Sequence, residues 1–117
     1  MLTRTIFRMT ATLALVSMTG LAAGPALAAG GDAELGRGKS TTCHACHGAD
    51  GLGTAPMYPK LAGQHEAYLV YALRGYRSGE RKNAIMAGFA TGLSDADIAD
   101  LAAFYSSLDG LTTPSWE

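Results

Sequence analysis

Two stretches of the chain carry apolar residues at helical spacing. Leu69, Ala72, Leu73 and Tyr76 recur at i, i+3, i+4 and i+7, which predicts an amphipathic helix over His65–Arg77. Gly79 follows as its stop. Farther on, Ile98, Leu101, Ala102 and Tyr105 repeat the spacing, with Phe104 and Leu108 beside the stripe. Ser94 is an N-cap residue for this second helix, which runs to about Ser106, and Asp95 and Asp97 in its first turn suit the helix dipole. A shorter helix is predicted over Asp32–Thr41, opened by Asp32. It contains Gly36, and a glycine inside a helix costs about 1 kcal/mol relative to alanine. Close approach of another helix backbone is a physical reason for it. Gly48–Ala62 is rich in Gly and Pro and reads as a loop, and Arg81–Phe89 reads as an irregular segment between the later two helices. With almost no alternating pattern, the chain is predicted to be all-α, three main helices joined by loops.

The start of the chain has a different character. Residues 1–8 carry Arg4 and Arg8 and no acid, and Met9–Gly31 is uncharged. That run ends in Gly24-Pro25-Ala26-Leu27-Ala28, a helix break followed by a small-x-small site. These are the three parts of a secretory signal peptide, so residues 1–28 are assigned to export and 29–117 to the domain, with cleavage after Ala28. An uncleaved membrane anchor is the alternative reading, since the run is long enough to span a bilayer. Thr, Ser and Gly dilute it.

In 117 residues, nine Lys and Arg against ten Asp and Glu give a net charge of −1, which argues against a nucleic-acid binder. A hydrophobic fraction of 48% excludes a disordered chain. A domain this small buries little surface on folding and needs a staple such as a disulfide, a metal or a cofactor.

The two cysteines stand in Cys43-His44-Ala45-Cys46-His47, the C-x-x-C-H pattern of c-type haem attachment. Each thiol adds to one haem vinyl group, and the two-residue gap matches the spacing of the vinyls on one porphyrin edge. His47 then reaches the iron from the proximal face. Export agrees with this, because such haem is attached outside the bacterial cytoplasm. Three other readings compete. A thioredoxin-like pair would precede a helix in a βαβ unit, and no strand pattern precedes Cys43. A structural zinc site joins two ligand pairs a dozen or more residues apart, and only His65 lies outside the cluster. A Cys43–Cys46 disulfide would close a very short loop and stabilise little. Gly36-Arg37-Gly38-Lys39-Ser40 lacks the upstream glycine of a phosphate loop, with Ala33 in its place and no strand before it.

Haem iron takes a second axial ligand or keeps an open site. The candidates are His44, Met57, His65 and Met86. His44 lies inside the attachment loop, Met57 in a proline-flanked turn expected on the proximal side, and His65 at a helix start. Met86 lies between two helices, where a loop can deliver sulfur across the haem. A lone methionine is as readily core filler.

Taken together the residues resemble a class I c-type cytochrome, similar to small periplasmic monohaem cytochromes and to single halves of dihaem cytochromes. The resemblance covers Gly31–Leu108: Cys43-His44-Ala45-Cys46-His47-Gly48-Ala49-Asp50-Gly51, then Pro59-Lys60-Leu61-Ala62-Gly63-Gln64, Tyr68-Leu69, and Leu93 through Tyr105. It implies the small cytochrome c fold wrapped around one covalent haem c. It also implies roles at matching positions. Met86, seven residues before Leu93, matches the sulfur ligand, so that His47 and Met86 would bind the iron. Pro59 matches the proline whose carbonyl accepts the Nδ1 proton of the proximal histidine, and Leu61 a haem-packing leucine. Gly36 and Phe104 match the pair at which the first and last helices cross. One departure is Phe89, where many relatives carry a second methionine.

The expected function is that of a periplasmic electron carrier and not an enzyme, because His/Met ligation leaves no open iron site. Its partners would be other redox proteins, met transiently, with neither nucleic acid nor, once the signal segment is removed, direct membrane contact. A dedicated cytochrome subunit of a dehydrogenase complex is the alternative, and a haem gas sensor or peroxidase a more distant one. Lys60, Arg74, Arg77, Arg81 and Lys82 could steer an acidic partner or form an ordinary solvated face.

Overall fold

The computed structural model describes residues 30–112. The proposed signal segment, residues 1–28, lies outside them. Five α-helices occur among the described residues: α1 (Ala33–Lys39), α2 (His44–His47), α3 (Glu66–Ser78), α4 (Ala84–Ala90) and α5 (Asp95–Ser106). A 3₁₀ turn, Ser40–Cys43, joins α1 to α2. No strand appears among the described residues, in keeping with the all-α prediction.

The predicted helices are present with altered ends. Asp32 caps α1, its Oδ1 accepting from the backbone N–H groups of Glu34 (2.8 Å) and Leu35 (3.0 Å). The helix then tightens where Ser40 Oγ donates to the Arg37 carbonyl at 2.8 Å, so the predicted segment to Thr41 ends as a 3₁₀ turn that leads directly into the pentad. Gly79, with φ +80°, closes α3 in the left-handed conformation. α5 opens with a reciprocal capping box between Ser94 and Asp97. Arg81–Phe89 differs from the prediction. Only its first residues are irregular; from Ala84 it is helical, because the Asn83 side chain accepts the Met86 N–H at 3.0 Å and starts α4.

The core lies where α1 and α3 pack on α5. Ile98, Leu101, Ala102, Phe104 and Tyr105 of α5 are buried, with Leu69 of α3 against them. At the α1–α5 crossing a Cβ on Gly36 would overlap the Asp100 carbonyl oxygen and lie 2.8 Å from Phe104 Cβ, so only glycine lets the backbones approach. The expected Gly36–Phe104 crossing is therefore present. A second close approach, Gly31 against the Ala99 backbone, was not expected.

Polar contacts lock the same crossing. Asp100 accepts from the Asp32 backbone N–H (2.8 Å) and from Lys39 Nζ (2.6 Å), and Lys39 also pairs with Asp97 at 2.8 Å. On the far side Arg77 donates to the Leu93 carbonyl (2.9 Å) and to Asp95 (2.6 Å), tying α3 to the start of α5.

Candidate functional site

Among the helices and the loop after α2 lies a cavity of about 430 Å³. Cys43, Cys46 and His47 line it from the 3₁₀ turn and α2, and Pro59 and Leu61 from the loop. Leu69, Ala72 and Leu73 line it from α3, Met86 and Ala90 from α4, and Leu101 and Tyr105 from α5. All six residues expected at the site thus meet in one cavity.

The loop after α2 is built to hold His47. Gly48, at φ +79°, ends α2. Gly53 N–H then donates to the His47 carbonyl (2.7 Å), and Thr54 N–H and Oγ1 to that of Cys46 (2.9 and 3.0 Å). Leu61 N–H and Ala62 N–H both donate to the Gly51 carbonyl, at 2.7 and 3.1 Å, folding the segment back. Pro59 is thereby brought to the imidazole, and His47 Nδ1 donates to its carbonyl oxygen at 2.8 Å. A carbonyl can only accept, so Nδ1 is the donor and, in the neutral ring, Nε2 is the nitrogen with the lone pair. The ring is buried, at 7% exposure.

The other histidines are accounted for differently. The single Ser40 Oγ proton lies on the Arg37 carbonyl, so the 2.8 Å contact between Ser40 Oγ and His44 Nε2 requires His44 to donate. His65 stands at the N-cap position of α3, exposed and away from the cavity lining. Two methionines line the cavity. Met57 lies in the loop and is 78% exposed, while Met86 is half-buried in the first turn of α4. Met57 belongs to the loop segment that carries Pro59 and lines this cavity with it.

Cys43 and Cys46 are half-buried and not joined to each other. Burial pushes the Cys43 thiol up from its ordinary pKa, while the Thr42 and Tyr105 hydroxyls act in the opposite direction. Among the described residues no group of three or more His, Cys, Asp and Glu side chains could hold a metal ion, which removes support for the zinc reading. The donor set suits a c-type haem instead: two thiols at attachment spacing, an imidazole with a free Nε2, thioether sulfurs in the same lining and apolar walls. Sequence reasoning missed Tyr105 as a cavity residue and the Arg81 cluster, in which the guanidinium lies 4.9 Å from the Tyr76 ring and donates to Tyr68 Oη at 3.2 Å.

Residues 21–109 match the family description Cytochrome c. The chain belongs to the cytochrome c family. It is 55% identical over 80 residues to cytochrome c-554(548) of Halomonas halodenitrificans, an alignment covering 66% of this chain and 96% of that one. It is 46% identical over 95 residues to cytochrome c4 of Pseudomonas aeruginosa, covering 81% of this chain but 45% of the relative. The crystal structure of reduced cytochrome c4 from Pseudomonas stutzeri superposes with a TM-score of 0.66 at 46% identity, covering 69% of this chain and 47% of that one. The chain therefore spans less than half the length of the c4 relatives. This small cytochrome c fold carries one haem c, held covalently through Cys43 and Cys46, and the protein is an electron carrier.

Proposed function

We propose that this cytochrome is an exported, periplasmic one-electron carrier whose haem iron is bound by His47 and Met86, and that it is not an enzyme. The observation that carries the reading is the Pro59 carbonyl on His47 Nδ1 in a residue that lines the cavity, which leaves Nε2 as the nitrogen that can bind iron. When bound, haem c supplies a one-electron Fe(III)/Fe(II) couple. His47 would act as the proximal ligand, and the Pro59 carbonyl fixes its ring and raises its basicity. Met86 would supply the soft sulfur that favours the reduced form, and the Asn83 cap holds the helix turn that carries it. Leu61, Leu69 and Leu101 give the cavity apolar walls. Ligation by both His47 and Met86 would leave no iron position for a substrate.

The partners would be other redox proteins, met through a small transient interface. Met57, Ile85 and Phe89 line the cavity and are exposed, which gives its mouth an apolar rim, with Lys60 and Arg81 beside it. Arg74 and Arg77 belong instead to the Asp95 ion pairs.

A test is the Met86→Ala holoprotein. It should lose the near-infrared sulfur–iron charge-transfer band, bind carbon monoxide when reduced, and show a lower reduction potential. Met57→Ala should leave all three properties as they are. The reverse pattern would assign the sulfur to Met57, and an unmodified protein without the band would overturn His/Met ligation.

A second reading has its own support. The chain is 48% identical over 71 residues to a thiosulfate dehydrogenase electron acceptor of Thiomonas intermedia, covering 33% of that protein. A cytochrome dedicated to one dehydrogenase would copurify with it from a periplasmic extract, whereas a free carrier would not.

A further inference from the structure

Among the described residues, Tyr105 Oη is the buried side-chain polar atom that has no hydrogen-bond partner. The residue is 3% exposed, sits near the end of α5 and forms part of the cavity wall. Its ring is packed closely, 5.0 Å from that of Phe104, and a Cβ on Gly51 would lie 3.1 Å from Tyr105 Cδ1. Phenylalanine would fill that space equally well. A buried hydroxyl carries its desolvation cost unless something accepts its proton. Its polar neighbours are Ser40 and Cys43. Ser40 Oγ donates to the Arg37 carbonyl and accepts from His44, which leaves it one lone pair as the rival acceptor. Cys43 changes character on haem attachment. Its S–H proton leaves the sulfur, and the thioether that remains has lone pairs and no donor.

We propose that in the haem-loaded protein Tyr105 Oη–H donates a hydrogen bond to the thioether sulfur of Cys43. Tyr105 is then a positioning residue. Its hydroxyl fixes the Cys43 side of the haem and draws electron density from the sulfur, so the reduced state is favoured. The inference rests on attachment at Cys43. It does not depend on which methionine reaches the iron.

Tyr105→Phe and Ser40→Ala holoproteins test it, measured by Raman scattering in the thioether C–S stretching region, by redox titration and by thermal melting. Tyr105→Phe should shift the C–S band, move the reduction potential negative and leave the melting temperature no higher than in the unmodified protein. Ser40→Ala should leave the C–S band in place. An unchanged band and potential in Tyr105→Phe, with a raised melting temperature, would show a hydroxyl with no acceptor and overturn the proposal. A shifted band in Ser40→Ala with an unchanged band in Tyr105→Phe would overturn it in favour of Ser40 as the donor to the sulfur. An unmodified protein with no C–S band would instead refute attachment at Cys43 itself.

Discussion

A carbonyl oxygen has no proton to give, and that simple property fixes which ring nitrogen donates in two histidines here. Pro59 accepts from His47 Nδ1, which frees Nε2, while Ser40, its own proton spent on Arg37, makes His44 a donor at Nε2. Two histidines three positions apart thus take opposite parts. The pentad was legible at this scale because attachment chemistry dictates both residue type and spacing. The Pro59 contact, which spans 12 positions, was legible only through the family resemblance, since the loop that closes it follows from backbone bonds to Gly51. The Tyr105 hydroxyl was not legible, because in a helical stripe it reads as an apolar ring. The pentad also makes a direct prediction. Cys43→Ala and Cys46→Ala should each sharply reduce holoprotein yield. In the double variant, any haem taken up should be released by acid acetone, whereas the unmodified protein should keep its haem through denaturing electrophoresis. Haem freely extracted from the unmodified protein would contradict covalent attachment.

Helices α1 and α5 meet through the smallest side chain available and one of the largest. Gly36 sits against the Asp100 backbone and Phe104, and Arg37 lies 5.5 Å from the Phe104 ring centroid. Phe104 is 2% exposed. Phe104→Ala should lower holoprotein stability by about 3–5 kcal/mol, the range for deleting a buried aromatic ring. Gly36→Ala should lower it by about 1–3 kcal/mol or more, since the added methyl meets backbone that cannot swing away. Denaturant unfolding measures both, and variants that unfold at the unmodified midpoint would refute the crossing as a source of stability. At this scale the sequence showed α3 and α5 well, because each carries a long apolar stripe and a clear terminal residue. It did not show α4. That helix has seven residues and buries only Ala90, so it has too few core positions to create a period. The one local signal was Asn83, an N-cap residue whose significance rests on the bond to Met86 N–H.

The first and last of the described helices, α1 and α5, are held together by charge as well as by packing. Asp95, Asp97 and Asp100 are each held below the ordinary carboxylate range, by hydrogen bonds from Arg77, from Lys39 and Ser94, and from Lys39 and the Asp32 backbone respectively. The folded protein therefore binds fewer protons at these groups than the unfolded chain does. Their contribution is complete above the ordinary aspartate value of about 3.9 and is lost as pH falls through the folded values. Lys39 is raised, chiefly by its bond to Asp100, so its contribution is complete below the ordinary lysine value and is lost as pH rises through its folded value. These four groups should add no change to the melting temperature between about pH 5 and 9 and should lower it below about pH 4. The fall should be modest and smaller in high salt, because the pairs are partly solvated. A melting temperature constant down to pH 2 would contradict these contacts. The clasp formed by Asp32, Lys39 and Asp100 joins residues 61 and 68 positions apart. Entropically it closes one long ring of chain. The cost of such closure grows only with the logarithm of length, roughly 0.6 kcal/mol for each doubling. The segments bearing Pro59 and Met86 lie within that ring, so a change in their length would alter the closure entropy little, and its cost would lie in the contacts they make. What remains expensive to alter is the short arc between Gly36 and His47, where the clasp and the attachment site share the same turn.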